Sequence, residues 1–237
     1  MPEQTFQSFL NANNMATELY YTPLLQDSAL KGYWRLENAN DSSSSGYNLT
    51  AVNTPTVTTG LFGNAYTFQG ASSQYMTIAN ASCPDLEIAG DQTWICWYKK
   101  TSGTDHSVIG KTLGSDPINK KKRIYINNTN NPTFNLAGVD DLVSTESISN
   151  GSWYMLAGIY DRTNTTIKIW VNAVKTEQTK SAAATATGAP FAIGRDGDYT
   201  NYANGIIDEV MIFNRALTDD EITRYYNGRL VSMGFIM

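Results

Sequence analysis

From Gly32 onward, apolar and polar side chains alternate in short runs separated by turn residues, the pattern of strands packed against a core. The series opens with Tyr33, Trp34, Arg35, Leu36 and Glu37. It continues through residues 65–68, 75–78, 93–98, 108–111, 123–126, 134–137, 154–160, 166–171, 191–193 and 206–213. These runs are rich in β-branched and aromatic residues, and their spacing predicts two stacked antiparallel sheets. Two segments depart from it. Thr218-Asp219-Asp220-Glu221 is a capping box, and Ile222, Tyr225 and Tyr226 follow at helical spacing. A short helix is therefore predicted over 219–227, stopping before Gly228. In residues 1–29, Phe6, Phe9, Leu10, Met15, Leu19, Leu24 and Leu25 show no alternation, so this stretch reads as an N-terminal arm ahead of a domain at 30–237. Its apolar side chains are costly to leave in water. The arm is expected to pack on its own domain or on neighbouring subunits of an assembly. The small-residue stretch 181–188 reads as an exposed connection.

Composition narrows the function classes. Of 237 residues, 41% are hydrophobic and 16% charged, enough apolar matter for a real core and too few charges for a disordered chain. The net charge of −5 repels phosphate backbones, which argues against nucleic acid as a partner. The one basic run, Lys120-Lys121-Lys122-Arg123, is expected to be a solvated loop between strands. Cys83 and Cys96 have neither metal-site nor redox-motif spacing. Cys96 lies inside an apolar run and reads as a small buried hydrophobe, while a single disulfide between the two stays open. No secretory signal and no membrane span are read, so the expected setting is a virion or other extracellular surface reached without a signal peptide.

Several pieces, in order, resemble the laminin-G-like, concanavalin A-like lectin/glucanase jelly-roll family, which includes pentraxin-like domains. The first is Gly32-Tyr33-Trp34-Arg35-Leu36-Glu37 with its Asn40-Asp41-Ser42 turn, followed by Phe62-Gly63-Asn64-Ala65-Tyr66-Thr67-Phe68-Gln69-Gly70. A hairpin runs from Trp153 through Ala157 to Tyr160-Asp161 and on to Ile167-Lys168-Ile169-Trp170-Val171-Asn172. Phe191-Ala192-Ile193-Gly194, Ile207-Asp208-Glu209-Val210 and the capping-box helix close the series. The resemblance implies an all-β, two-sheet antiparallel jelly-roll β-sandwich with one short C-terminal helix and the N-terminal arm. It also implies a structural calcium ion held by Asp41, Asp208 and the Gly70 carbonyl, with Glu37 in reserve. The alternative is that Asp41 caps its own turn and Asp208 pairs with Arg215. The chain departs from the family at Asn172-Ala173 and at residues 69–73, and both departures remove carboxylates.

Jelly-roll glycosidases carry paired carboxylates on one strand, and no Glu-x-Asp-x-x-Glu segment occurs here. Asp140-Asp141, Asp196-Gly197-Asp198 and Asp219-Asp220-Glu221 read as two turns and a helix cap. His106, the single histidine, sits in a polar stretch and reads as solvent-exposed. No catalytic residue is assigned and no enzymatic activity is expected. Carbohydrate binding needs aromatic platforms beside amides and carboxylates, a composition present in Asp196, Asp198, Tyr199, Asn201 and Tyr202, with Asp105 and His106 near by. Of Trp94, Trp97, Trp153 and Trp170, at least half are expected in the core. The leading expectation is a non-catalytic structural or adhesive module of a larger assembly, such as a virus or phage particle. The alternative is a calcium-dependent lectin for surface glycans.

Overall fold

Strands whose side chains are apolar on alternate positions must stack to hide them, and this chain does so in two sheets. The computed structural model describes residues 22–113, 121–197 and 201–232. Its strands are β1 (Leu30–Trp34), β2 (Thr50–Val52), β3 (Thr56–Thr59), β4 (Asn64–Phe68), β5 (Tyr75–Ile78), β6 (Gln92–Lys100), β7 (His106–Thr112) and β8 (Lys121–Ile126). They continue with β9 (Pro132–Leu136), β10 (Asp140–Val143), β11 (Trp153–Asp161), β12 (Thr166–Val171), β13 (Val174–Thr179), β14 (Phe191–Ile193) and β15 (Gly205–Phe213). One sheet has eight strands in the order β13, β12, β11, β6, β15, β4, β3, with β1 also on β15; the other has seven, β10, β9, β8, β7, β14, β5, β2. Every pairing among the described residues is antiparallel. The two-sheet sandwich expected from the spacing is the observed architecture.

The core between the sheets holds Trp34, Trp94, Tyr98, Leu156, Tyr160 and Ile212 from the larger sheet and Met76, Ile124, Phe134, Phe191 and Ile193 from the smaller. Phe191 stacks on Trp34 with ring centroids 4.7 Å apart and meets Trp94 edge-on at 6.0 Å. Gly158 makes the closest crossing possible: a Cβ there would lie 2.4 Å from the Phe134 ring.

The eight-stranded sheet is apolar on its other face too. Ile95, Trp97, Met155, Ala157, Ile159, Met211 and Phe213 point away from the sandwich into a second cluster. This is why β6 and β11 read as nearly continuous apolar runs. The helix α1 (Asp219–Ser232) lies over that cluster through Ile222 and Tyr225. Its capping box forms as the sequence implies: the Glu221 amide donates to Thr218 Oγ1 at 3.2 Å, and the Thr218 amide donates to Glu221 Oε2 at 2.8 Å. The helix does not stop before Gly228. Beyond that residue Arg229 donates to the buried carboxylate of Glu209, and its guanidinium lies 3.9 Å from the Phe62 ring centroid. These contacts outweigh the roughly 1 kcal/mol that a helical glycine costs.

Leu24 and Leu30 join the same cluster, and Asp27 accepts from Arg215 Nε at 2.6 Å, so the described end of the arm packs on its own domain. Residues 1–21 lie outside the described residues. The sequence reading missed β2, β3, β10 and β13, whose Thr, Lys, Gln and Asp side chains are mostly exposed. The basic run is corrected. Lys120 lies outside the described residues, but Lys121, Lys122 and Arg123 open β8, and Lys122 and Arg123 are buried rather than solvated. Cys83 and Cys96 are both buried and free.

Arg229 neutralises a carboxylate that has no exposure to water. Arg229→Met is expected to destabilise the fold by about 3–5 kcal/mol by leaving Glu209 charged and buried, read as a lowered urea midpoint.

Candidate functional site

The outer face of the seven-stranded sheet is where the polar side chains collect. In β8, Ile124 and Ile126 face the core, so Arg123 and Tyr125 point outward. In β9, Phe134 and Leu136 face inward and Asn135 outward, in register with Arg123 on one side and Asp141 of β10 on the other. Across the sheet, Arg123 pairs with Gly110 of β7, where a Cβ would meet the Asp196 Cα at 3.0 Å. Glycine at that rung lets Asp196 settle on the strand.

The resulting strip is continuous. Arg123 Nη1 donates to Asp196 Oδ2 at 2.6 Å and to Ser107 Oγ at 3.3 Å. The guanidinium lies 3.9 Å from the Tyr125 ring centroid, and the Tyr125 hydroxyl donates to Asp141 Oδ2 at 3.3 Å. Asn135 Nδ2 donates to Asp141 Oδ1. A second aromatic group flanks the strip: the Arg195 guanidinium sits 3.9 Å from the Tyr75 centroid, and the Tyr75 and Tyr202 rings are 6.0 Å apart.

Asp196 is 0% exposed, Asn135 5% and Arg123 7%. Yet Asp196 Oδ1, Asn135 Oδ1 and Arg123 Nε have no hydrogen-bond partner among the described residues. Removal from water raises the Asp141 carboxyl above its usual range, with Arg123 opposing, and raises the Tyr125 hydroxyl. The same removal lowers the Lys121 ammonium, with Arg123 adding to the effect. The face therefore holds charged and amide groups in partly dry surroundings, where hydrogen bonds to a ligand are strong.

Of the loop residues read as ligand-binding, Asp196 lies at the centre of this strip and Tyr202 beside it. Asn201 presents its carbonyl to the Ser107 amide at 3.4 Å. Asp198 and Tyr199 lie outside the described residues. Sequence reasoning missed Tyr75, Arg123, Tyr125, Asn135, Asp141 and Arg195. The signal was present in 121–126, where charged and aromatic residues alternate with isoleucines. Asp140-Asp141, read as a turn, opens β10 instead. Trp94, Trp97 and Trp170 are buried and Trp153 is half-buried, as expected for core residues.

His106 is corrected from solvent-exposed to buried. It opens β7, with Nε2 2.6 Å from the Tyr98 hydroxyl, which lies 2.8 Å from the Asn204 carbonyl. Burial, with Lys100 near by, pulls its pKa down to about 4.

The three residues read as calcium ligands each have hydrogen-bond partners of their own. Asp41 accepts through both oxygens, from the amides of Tyr33, Ser43 and Tyr47 and from the Ser43 hydroxyl, so it caps its turn. The Gly70 carbonyl accepts from the Ser73 amide at 2.9 Å. Asp208 accepts from the amides of Leu61 and Phe62, and not from Arg215, which pairs with Asp27 and Glu221. Glu37 accepts from the Asn64 amide. Among the described residues no group of three or more His, Cys, Asp or Glu side chains could hold a metal ion.

A family model of the concanavalin A-like lectin/glucanases superfamily, Laminin_G_3, matches residues 69–223. The chain belongs to this superfamily. Among solved structures, domain 4 of AbnA, a GH43 extracellular arabinanase from Geobacillus stearothermophilus, in complex with arabinotriose, superposes with a TM-score of 0.66. The two are 18% identical, over 83% of this chain and 98% of that one. The binding domain of Paraclostridial Mosquitocidal Protein 1 matches with a TM-score of 0.63 and 13% identity, over 84% of this chain and 52% of that one. A botulinum neurotoxin type C structure, described as showing cell entry dependent on two ganglioside molecules, matches with a TM-score of 0.62 and 12% identity, over 85% and 51%. This chain thus spans about half of each toxin structure. At such identities the likeness is one of superfamily fold. No curated protein sequence matches.

Burial pushes the Asp208 carboxyl up to about 7, with Glu209 adding to the shift and the Phe62 and Leu61 amides opposing it. Its folded value lies above the ordinary 3.8, so the stability it contributes is full below that value and is lost as pH rises through about 7. His106 acts oppositely: its folded value lies below 6.5, so stability is lost as pH falls from there towards 4. Asp208→Asn is expected to flatten the loss of stability between pH 3.8 and 7, measured by urea denaturation across that range.

Proposed function

We propose that the chain is a non-catalytic carbohydrate-binding module whose ligand lies along the outer face of the seven-stranded sheet. The observation that carries the reading is the strip of Arg123, Asp196, Asn135 and Asp141. Arg123, Asp196 and Asn135 are buried and Asp141 lies at the exposed end, and the three buried residues retain hydrogen-bonding atoms without a partner among the described residues. Sugars present rings of hydroxyls and apolar C–H faces. Carboxylate, amide and guanidinium groups answer the hydroxyls, and Tyr75 and Tyr202 offer half-buried rings for the C–H faces. The arabinotriose complex of AbnA domain 4, of nearly the same extent as this chain, supports the reading.

Catalysis is not part of the proposal. A glycosidase needs two carboxyls facing the sugar, one as acid and one as base or nucleophile. On this face Asp196 is held by Arg123, and Asp141 by Asn135 and Tyr125. Membership of an assembly was expected to rest on the arm, and residues 1–21 lie outside the described residues. The sheet face therefore carries the functional reading. No helix among the described residues is long and apolar enough to cross a membrane.

An oligosaccharide array, run with and without EDTA, followed by calorimetry on the strongest hits, tests this. Binding is expected to survive EDTA. Tyr202→Ala and Tyr75→Ala are each expected to weaken it about tenfold, a loss of roughly 1.4 kcal/mol. Silence across the array, or binding indifferent to both substitutions, would overturn the assignment. Incubation of the bound oligosaccharides with the protein is expected to leave them intact.

A further inference from the structure

The inner face of the seven-stranded sheet buries two lysines side by side. Lys111 of β7 and Lys122 of β8 are cross-strand partners, and both are 0% exposed. Lys111 Nζ donates to the side-chain oxygen of Asn80 at 2.8 Å and to the Ala189 carbonyl at 2.6 Å. Its third neighbour is Glu87 Oε1 at 3.0 Å. Lys122 Nζ donates to the Ile88 carbonyl. Glu87 is itself aimed, accepting from the Thr187 amide at 2.8 Å and the Thr187 hydroxyl at 3.1 Å.

Two amines without exposure to water thus lie near one carboxylate, which touches Lys111 at 3.0 Å and acts on Lys122 through its charge. Two neighbouring ammonium ions in that position repel each other and lack hydration, which favours a neutral amine on one of them. Burial pulls Lys122 down to about 8, with Lys111 acting in the same sense against Glu87. Lys122 is the amine so lowered and can take a proton from its cross-strand neighbour, which leaves Lys111 a nucleophile; the Asn80 amide carbon lies one bond behind the oxygen that Lys111 touches.

We propose that Lys111 and Asn80 join spontaneously in an intramolecular isopeptide bond, with Glu87 carrying the proton. Once its ammonium proton has passed to Lys122, Lys111 Nζ adds to the Asn80 side-chain carbon while Glu87 takes a proton from the attacking nitrogen. The adduct collapses by breaking the bond to Nδ2, and Glu87 returns the proton to that nitrogen, which leaves as ammonia. One amine and one carboxamide become one secondary amide and one ammonia. The proton that Lys111 sheds on becoming neutral leaves with the ammonia as ammonium, so charge also balances. No oxidant, metal or cofactor is required. Rigid placement of the two groups supplies what a bimolecular aminolysis lacks. The bond would tie the turn after β5 to the C-terminal end of β7, closing a loop that contains β6.

Intact mass spectrometry of the denatured full chain decides the matter. The wild type is expected to be lighter than its sequence by one ammonia, and a proteolytic map is expected to contain one branched peptide joining Asn80 to Lys111. Lys111→Met and Asn80→Ala should show the full sequence mass. Asn80→Asp should lose one water instead of one ammonia, since a carboxyl replaces the carboxamide. Glu87→Gln, with circular dichroism confirming its fold, should keep the full mass. A wild-type chain at full sequence mass would overturn the proposal. So would an ammonia loss mapped to a succinimide at Asn80 or to any other pair of residues.

Discussion

The organising constraint is that the central strands of the eight-stranded sheet are apolar on both faces. Trp94, Cys96 and Tyr98 point one way from β6 and Ile95 and Trp97 the other, and β11 and β15 repeat the arrangement. At about 25 cal/mol per Å² of apolar surface, neither face can be left wet. The seven-stranded sheet covers one. The other is closed by α1 together with Leu24 and Leu30, which explains why so small a helix carries a capping box, an aromatic stack of Tyr226 on Trp97 and a buried ion pair. With both faces of that sheet sealed, the outer face of its partner is the surface the sandwich leaves for polar work, and there the Arg123 strip is found.

Covering the second face has a local consequence in β15. Its register shifts between Asp208 and Met211, and Glu209 adopts a left-handed backbone with φ of 52°. The bulge directs two successive carboxylates to the same side, where regular pleating would separate them. Glu209 finds Tyr33 and Arg229, and Asp208 finds the amides of Leu61 and Phe62. The bulge thus couples the β3–β4 turn, the first strand and the helix at one point. Asp208, a carboxylate the sequence reading set aside for calcium, here ties the β3–β4 turn to β15 beside the helix lid.

Much of the fold was legible because burial on alternate positions is a local property. The runs at 93–98, 154–160 and 206–213 and the capping box at Thr218 each announce themselves within a few residues. What was not legible depends on partners far along the chain. Lys122 looks like a loop charge until the Ile88 carbonyl receives it, and nothing in the strand run 108–111 shows that Glu87, Asn80 and Ala189 enclose Lys111. His106 looks solvated until Tyr98 and Asn204 enclose it. Arg123 and Asp196 are 73 positions apart, and only the glycine at 110 hints that another chain segment must come close there. Edge strands such as β3 and β13 escaped because an edge needs no apolar face, and their threonines, lysines and glutamates discourage a second sheet from adding to them.

The lid places the start of the described chain, near Leu24, and its end, in α1, on the same side of the sandwich. The Arg123 strip occupies the opposite side. A contact made through the helix lid would therefore leave the Arg123 strip uncovered.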